Sequence, residues 1–284
     1  MVSSIRASAT SRRTRGRIDL VLGGGIVAAF AFVALLSLFF TPYPTSRQDI
    51  PARLEAPSLA HPFGTDHLGR DTLSRLMEGA RNSLFVGVLA VAIGALVGTV
   101  LGMAAGYFGP WVDEVVMRTI DFVMGFPVVL LAILVIAAFG PGLRNAMIAI
   151  AVATVPAFAR LARGLLLSLR ERDFVAAARA CGAGPMRVLV VHLLPNLSSP
   201  LLIQATVSLG MALLADAGLS YLGLGVQPPH PSWGRMVYEA RAFLALDPWP
   251  ALFPGMAIAL AILGFNLLGD GLRDRLDPRG SRRP

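Results

Sequence analysis

The chain contains no lysine, so all 25 of its basic residues are arginines. It contains one cysteine, Cys181, which excludes an internal disulfide and a cysteine-rich metal site and reads as a small core residue. Charge is scarce too: charged residues make up 15% of the chain, against about a quarter in soluble domains. No G-x-x-x-x-G-K-[ST] phosphate loop occurs, so any ATP that is used must be hydrolysed on another chain. There is no catalytic triad, metal signature or cofactor motif, and no buried series of acids and bases like those of proton-coupled pumps. Apolar residues dominate instead, at 55% of the 284 residues, with a mean hydropathy of +0.66. A bilayer span takes about 20 mostly apolar residues, and several runs qualify. The chain is an integral membrane protein.

An isoelectric point near 11.0 would suit nucleic acid, but the arginines bracket apolar runs, which assigns them to topology. The opening seventeen residues are basic and polar and read as a disordered cytoplasmic tail. Arg12-Arg13 is the pair of a twin-arginine signal, yet the run from Leu20 to Phe40 is too long for a signal core and lacks a small-x-small cleavage site. Six spans are expected near 18–40, 84–108, 119–139, 146–167, 199–220 and 251–270. An extracytoplasmic loop over 41–83 separates the first from a core of five spans over 84–270, and a basic tail follows over 271–284. Arginine bias sets the orientation. With both termini cytoplasmic, seventeen arginines lie inside and eight outside. The loop over 41–83 argues the other way, since Arg47, Arg53, Arg70, Arg75 and Arg81 all fall in it. Inverting the chain would translocate far more.

Within that loop Asp66 and Asp71 can cap a helix, and Leu73, Leu76, Met77 and Ala80 recur at helical spacing, as in an amphipathic helix lying on the outer surface. His61, His67, Asp66 and Asp71 match no metal-ligand spacing. Gly94, Gly98, Gly102 and Gly106 recur every four residues along the second span. Helices in lipid have no hydrophobic drive to associate, so such a ridge lets a neighbour approach closely, in this chain or another subunit. Gly125-Phe126-Pro127 kinks the third span and Pro156 the fourth, which suits a translocation path and a packed bundle equally. Asp121 is expected to pair with Arg118 or a neighbour. Gln204, Ser208 and Asp216 lie in the fifth span; a carboxylate in hydrocarbon costs roughly 2.5–3.5 kcal/mol, so Asp216 must face protein, water or the interface. Its roles there are a cap or packing contact, or a pore gate. Trp233, Tyr238 and Trp249 in the last outer loop suit an interfacial belt.

The interval from Asp173 to Pro200 reads as two short helices at an angle, with a break at Gly182 and Gly184. Phe174, Val175, Ala178 and Cys181 share one side of the first. Ala177-Ala178, Gly182 and Leu194-Pro195 fit EAA-x3-G-x9-I-x-LP, and here the chain resembles the permeases of ABC importers. The motif glutamate falls on Ala176 and its isoleucine on His192. Farther upstream, G-T-D-x-L-G-R-D-x-x-S-R-x-x-x-G-x-R-x-S-L is similar to the stretch that precedes the transport core in dipeptide and oligopeptide permeases. The outer loop after Gly218 and the ending FNLLGDGLRDRLDPR are similar to the same peptide/nickel family, C-type.

The resemblance implies an all-α membrane protein with six transmembrane helices and the type I ABC importer transmembrane fold. It implies a non-enzymatic pore subunit in the cytoplasmic membrane, with no cofactor of its own and no nucleic acid. Its partners would be a paired homologous permease, two ATPase subunits carrying ATP and Mg, an extracytoplasmic binding protein and membrane lipid. The loop over 168–198 would meet the ATPases through Asp173, Phe174, Ala177, Ala178, Arg179, Gly182 and Pro195. Pro127, Pro156, Gln204 and Asp216 are the pore or gate candidates. Two other readings compete. A secondary transporter or channel would use Gln204, Asp216, Asn266 and the two kinks, but predicts inverted repeats that the sequence does not display. A non-transporting scaffold accounts for the outer loops but not for the EAA-like interval.

Overall fold

The computed structural model describes residues 2–276; Arg279, Arg282 and Arg283 of the expected C-terminal tail lie outside the described residues. The main helices are α1 (Val2–Leu36), α2 (Thr72–Tyr107), α3 (Pro110–Met124), α4 (Val128–Phe139) and α5 (Leu143–Leu169). A short α6 (Asp173–Ala180) and one turn, α7 (Pro185–Arg187), lead to a π-helical segment over Val188–Leu193. α8 (Leu194–Tyr221), α9 (Trp233–Ala240) and α10 (Trp249–Leu276) complete the chain. Among the described residues, five helices are long and apolar enough to cross a membrane, or six if α3 and α4 form one broken span.

Several elements differ from the reading above, each for a local reason. The basic opening is helical and continues into α1 with no proline to stop it, while the apolar part of that helix begins at Gly16. The segment expected to lie on the outer surface is the first third of α2, a single helix of 36 residues. Asp71 caps it, accepting from the Ser74 N–H at 2.7 Å and the Ser74 hydroxyl at 2.6 Å. Met77 and Ala80 are buried against protein, so this face meets no lipid. The third span is broken, not kinked: α3 and α4 meet at 92°. Proline disfavours helix at the residue before it, and Pro127 itself is extended as the N-cap of α4. Pro156, by contrast, sits inside a continuous α5. The expected second helix after Gly184 does not stop at Pro195 but runs into α8. The π segment before the proline, where the Leu194 N–H bonds to the Leu189 carbonyl, widens the helix where the ring would crowd the preceding turn.

Close backbone approach organises the bundle. All four glycines of the ridge are buried on α2 and face α5 of the same chain. A Cβ on Gly98 would stand 2.5 Å from the Val155 carbonyl oxygen and 2.7 Å from Phe158 Cβ. One on Gly94 would stand 2.8 Å from Thr154 Cβ, and one on Gly102 would collide with the Ala159 carbonyl. The ridge therefore serves an intrachain contact. α1 meets α10 in the same manner, where a Cβ on Gly271 would lie 2.5 Å from the Leu20 nitrogen. α8 lies against both α2 and α10. Trp233, expected in an interfacial belt, is 1% exposed: its indole N–H donates to the Leu76 carbonyl at 3.1 Å, and Phe30 of α1 packs edge-on to it at 5.2 Å. It plugs the junction of α1, α2 and α9.

Overpacking a site of this kind costs about 1–3 kcal/mol or more. Gly98→Leu is therefore expected to lower the thermal midpoint of the purified protein, whereas Leu96→Ala, at a residue that is 67% exposed, leaves it nearly unchanged. Equal midpoints for the two variants would refute the α2–α5 contact.

Candidate functional site

Two ends of the bundle carry the chemistry. At the first, α5 finishes at Leu169 and Arg170 Nη1 reaches back to the Gly106 carbonyl at 3.0 Å, tying the ends of α5 and α2 together. α6 then begins, with Asp173 in its first turn and Arg179 in its last, both favourable to the helix dipole. Val175 is fully buried among Met103, Leu166, Val188, Leu189 and Leu193. Phe174 is 40% exposed, and Asp173, Ala176, Ala177 and Arg179 are exposed while Ala178 is half-buried. The expected shared side of Phe174, Val175 and Ala178 is thus divided: Val175 anchors α6 to its own chain and Phe174 remains free. The Arg179 guanidinium lies over the Tyr107 ring at 5.8 Å.

α6 ends in a Schellman motif. The Gly182 N–H bonds to the Arg179 carbonyl at 2.9 Å and the Ala183 N–H to the Ala178 carbonyl at 3.0 Å. Gly182 has φ +83°, and a Cβ built there would meet nothing within 4 Å. Its requirement is conformational, set by the left-handed turn and not by crowding within this chain. Cys181 beside it is exposed, contrary to the core reading; it occupies the cap position, where the chain turns away from the bundle. Pro195 is exposed in the first turn of α8. Nearby, Arg163 pairs with both oxygens of Asp113. Asp121 pairs with Arg160 at 2.6 Å, and Arg118 with Glu114.

Of the pore candidates, Pro127 is exposed at the α3–α4 break and Gln204 is half-buried, donating to Ser208 at 3.1 Å. Pro156 is buried in α5. Asp216 is 1% exposed, and neither carboxylate oxygen has a hydrogen-bond partner among the described residues, although the Ser83 hydroxyl of α2 faces it. Both lie inside this chain's own packing.

At the other end, the segment before α2 folds against α9 through buried charge. Asp66 accepts from Arg70 Nε at 2.7 Å and also from Arg75. Glu239 accepts from Arg70 at 2.8 Å, Arg75 at 3.0 Å and Arg235 at 2.9 Å. Burial alone would push the Glu239 carboxyl up, but the charges of Arg75 and Arg70 and the hydrogen bonds from Arg235 and Arg75 override it and hold the pKa at about 2, below the usual 4.5. Burial, with Arg70 and Arg75 nearby, holds His67 below the ordinary histidine range despite Asp66 and Glu239. Asp66, His67 and Glu239 bring ligand atoms within 4.8 Å of one another, but both carboxylates are already committed to guanidinium groups, whose charge opposes a cation. An open cleft of about 740 Å³ adjoins this network.

Residues 98–282 match the family described as binding-protein-dependent transport system inner membrane component. The chain is 45% identical over 259 residues to the dipeptide transport system permease protein DppC of Alkalihalophilus pseudofirmus, covering 91% of this chain and 85% of that one. The chain belongs to this family. The glutathione transport system permease protein GsiD of Pectobacterium atrosepticum is 43% identical, over 91% of this chain and 86% of its own. Among solved structures, the inward-facing MetNI methionine ABC transporter aligns at TM-score 0.59 with 19% identity, covering 69% of this chain and 93% of that chain. That likeness places the fold with the type I transmembrane domains. The binding-protein-dependent permease is a multi-pass inner-membrane pore component, and ATP hydrolysis belongs to separate subunits.

The charge network of this permease component escaped the sequence reading. Its traces were two i,i+4 pairs, Asp66 with Arg70 and Arg235 with Glu239. Removing one member of such a buried set strands its partners, at about 3–5 kcal/mol. Glu239→Gln is expected to lower the thermal midpoint at neutral pH. Because the folded pKa is depressed, the wild type holds this stabilisation above about pH 4.5 and loses it as pH falls toward 2. Thermal melts over that range should converge for the two proteins; parallel curves would contradict the assignment.

Proposed function

We propose that this chain is the C-type permease subunit of an importer for dipeptides, oligopeptides or glutathione-like peptides. The observation that carries the reading is the identity of 43–45% to the dipeptide and glutathione permeases over nearly the whole chain. Half of the translocation pore comes from this chain and half from a paired permease. Two ATPase subunits, holding ATP and Mg, sit under α6, and an extracytoplasmic binding protein delivers substrate to the opposite end. Both termini are cytoplasmic.

Exposed Asp173, Phe174, Ala177 and Arg179, with part of Ala178, form the surface offered to the ATPase. Gly182 sets the turn that presents α6, and Pro195 the start of α8. Since Ala176 replaces the motif glutamate, the contact relies on Phe174 as an aromatic anchor, flanked by the Asp173 carboxylate. Pro127 and Gln204 fit a pore-facing position better than Pro156 and Asp216, because a pore shared by two chains is lined by faces that one chain alone leaves accessible.

Two experiments test the reading. In intact cells an impermeant thiol reagent should leave native Cys181 unlabelled until permeabilisation, and should label His230→Cys in a Cys181→Ser background from outside; the reverse pattern would overturn the orientation. In reconstituted complexes Gly182→Val should insert normally yet lose most binding-protein-stimulated ATP hydrolysis and peptide uptake, because a β-branched residue resists the left-handed conformation. Gly182→Asn, which tolerates it, should retain much of both. Full stimulation in Gly182→Val would sink the coupling role of α6.

A further inference from the structure

The cleft beside the Glu239 network carries more positive charge than it neutralises. Arg70, Arg235 and Arg241 line it, and among the described residues Glu239 is its one carboxylate. Glu239 is already taken up by Arg70, Arg75 and Arg235. Arg241 is exposed and, among the described residues, pairs with no carboxylate. It is nonetheless held in place. Its guanidinium lies 4.1 Å from the Tyr238 ring centroid and 5.9 Å from that of Tyr221, and Arg235 approaches the same Tyr238 ring at 4.9 Å. A guanidinium stacked on aromatic rings keeps the N–H groups of its edge available, and that edge matches a carboxylate in two parallel hydrogen bonds. Tyr238 thus separates two cations, one satisfied within the chain and one not. Ser46 and Gln48 add neutral hydrogen-bonding groups to the lining.

We infer that this cleft is a docking surface for an acidic patch on the binding protein, with Arg241 as the residue that receives an aspartate or glutamate side chain. The inference rests on the importer reading above and adds the chemistry of the contact. The family's own description names a binding protein as the partner, and the cleft lies at the end of the bundle opposite α6. Charge complementarity selects an acidic surface: a basic one would meet uncompensated arginine, and an apolar one would strand the Arg241 donors.

The test uses the reconstituted transporter with its ATPases and titrates the binding protein while ATP hydrolysis is followed. Arg241→Glu should raise the half-stimulating concentration of binding protein by about tenfold while leaving the maximal rate unchanged, as expected for reversal of an interfacial charge. Arg241→Gln should give a smaller rise. The half-stimulating concentration of the wild type should climb with salt, and that of Arg241→Gln should climb less. Unchanged half-stimulating concentration and salt dependence in both variants would overturn the inference. It would equally fall if Arg241→Glu altered the KM for peptide at saturating binding protein, since the cleft would then hold the substrate carboxylate. A wild-type complex that no binding protein stimulates would instead refute the importer reading itself.

Discussion

Contact between the backbones of α2 and α5 is the constraint on which the rest of the chain depends. In lipid, apolar side chains gain little by meeting one another, so association rests on dense van der Waals packing. Glycines at every fourth residue supply it by removing the Cβ atoms that would hold the two helices apart. Beyond the ridge, Val86, Ala90 and Val91 of α2 continue the seam with Ala146, Ala149 and Ile150 of α5. Arg170, closing on the Gly106 carbonyl, locks its far end. α6 is tied to this pair through the π segment, since Val175 is fully buried in a cluster that also holds Leu166 of α5, Met103 of α2 and Val188, Leu189 and Leu193.

Charge is arranged differently at the two ends. Around α6 the ionic contacts are partly exposed, as with Arg160–Asp121, and each contributes little to stability. Around α9 they are buried and shared, with Asp66 and Glu239 each accepting from more than one arginine. Arg70 and Arg75, two of the five arginines in the loop over 41–83, are thus held in buried ion pairs with Asp66 and Glu239.

The spans were legible because their hydropathy is continuous, and the ridge because its period of four can serve only one helix face. The left-handed turn at Gly182 was legible from glycine at a helix end. Other features depended on partners distant in sequence. Trp233 reads as an interfacial residue until Leu76 and Phe30 close over it. Phe174 and Val175 are neighbours of similar hydropathy, and only the cluster built from α2, α5 and the π segment decides that the smaller one turns inward. The helix at the start of α2 was legible from its spacing, but not its continuity with the span, because its first turns bury charge and hydroxyl groups such as Ser74, Arg75 and Ser83 against protein partners.

The unbroken length of α2 has a mechanical consequence. At 1.5 Å per residue its 36 residues reach roughly 54 Å, from the Asp71 cap beside the arginine-lined cleft to Tyr107 beneath Arg179. A rod of this kind behaves as a lever. A tilt of about 5° around its midpoint moves the two tips by roughly 2 Å each, in opposite directions. Narrowing at one mouth of the bundle is then widening at the other, a sign inversion that follows from rigidity alone and requires no relay of side chains between them.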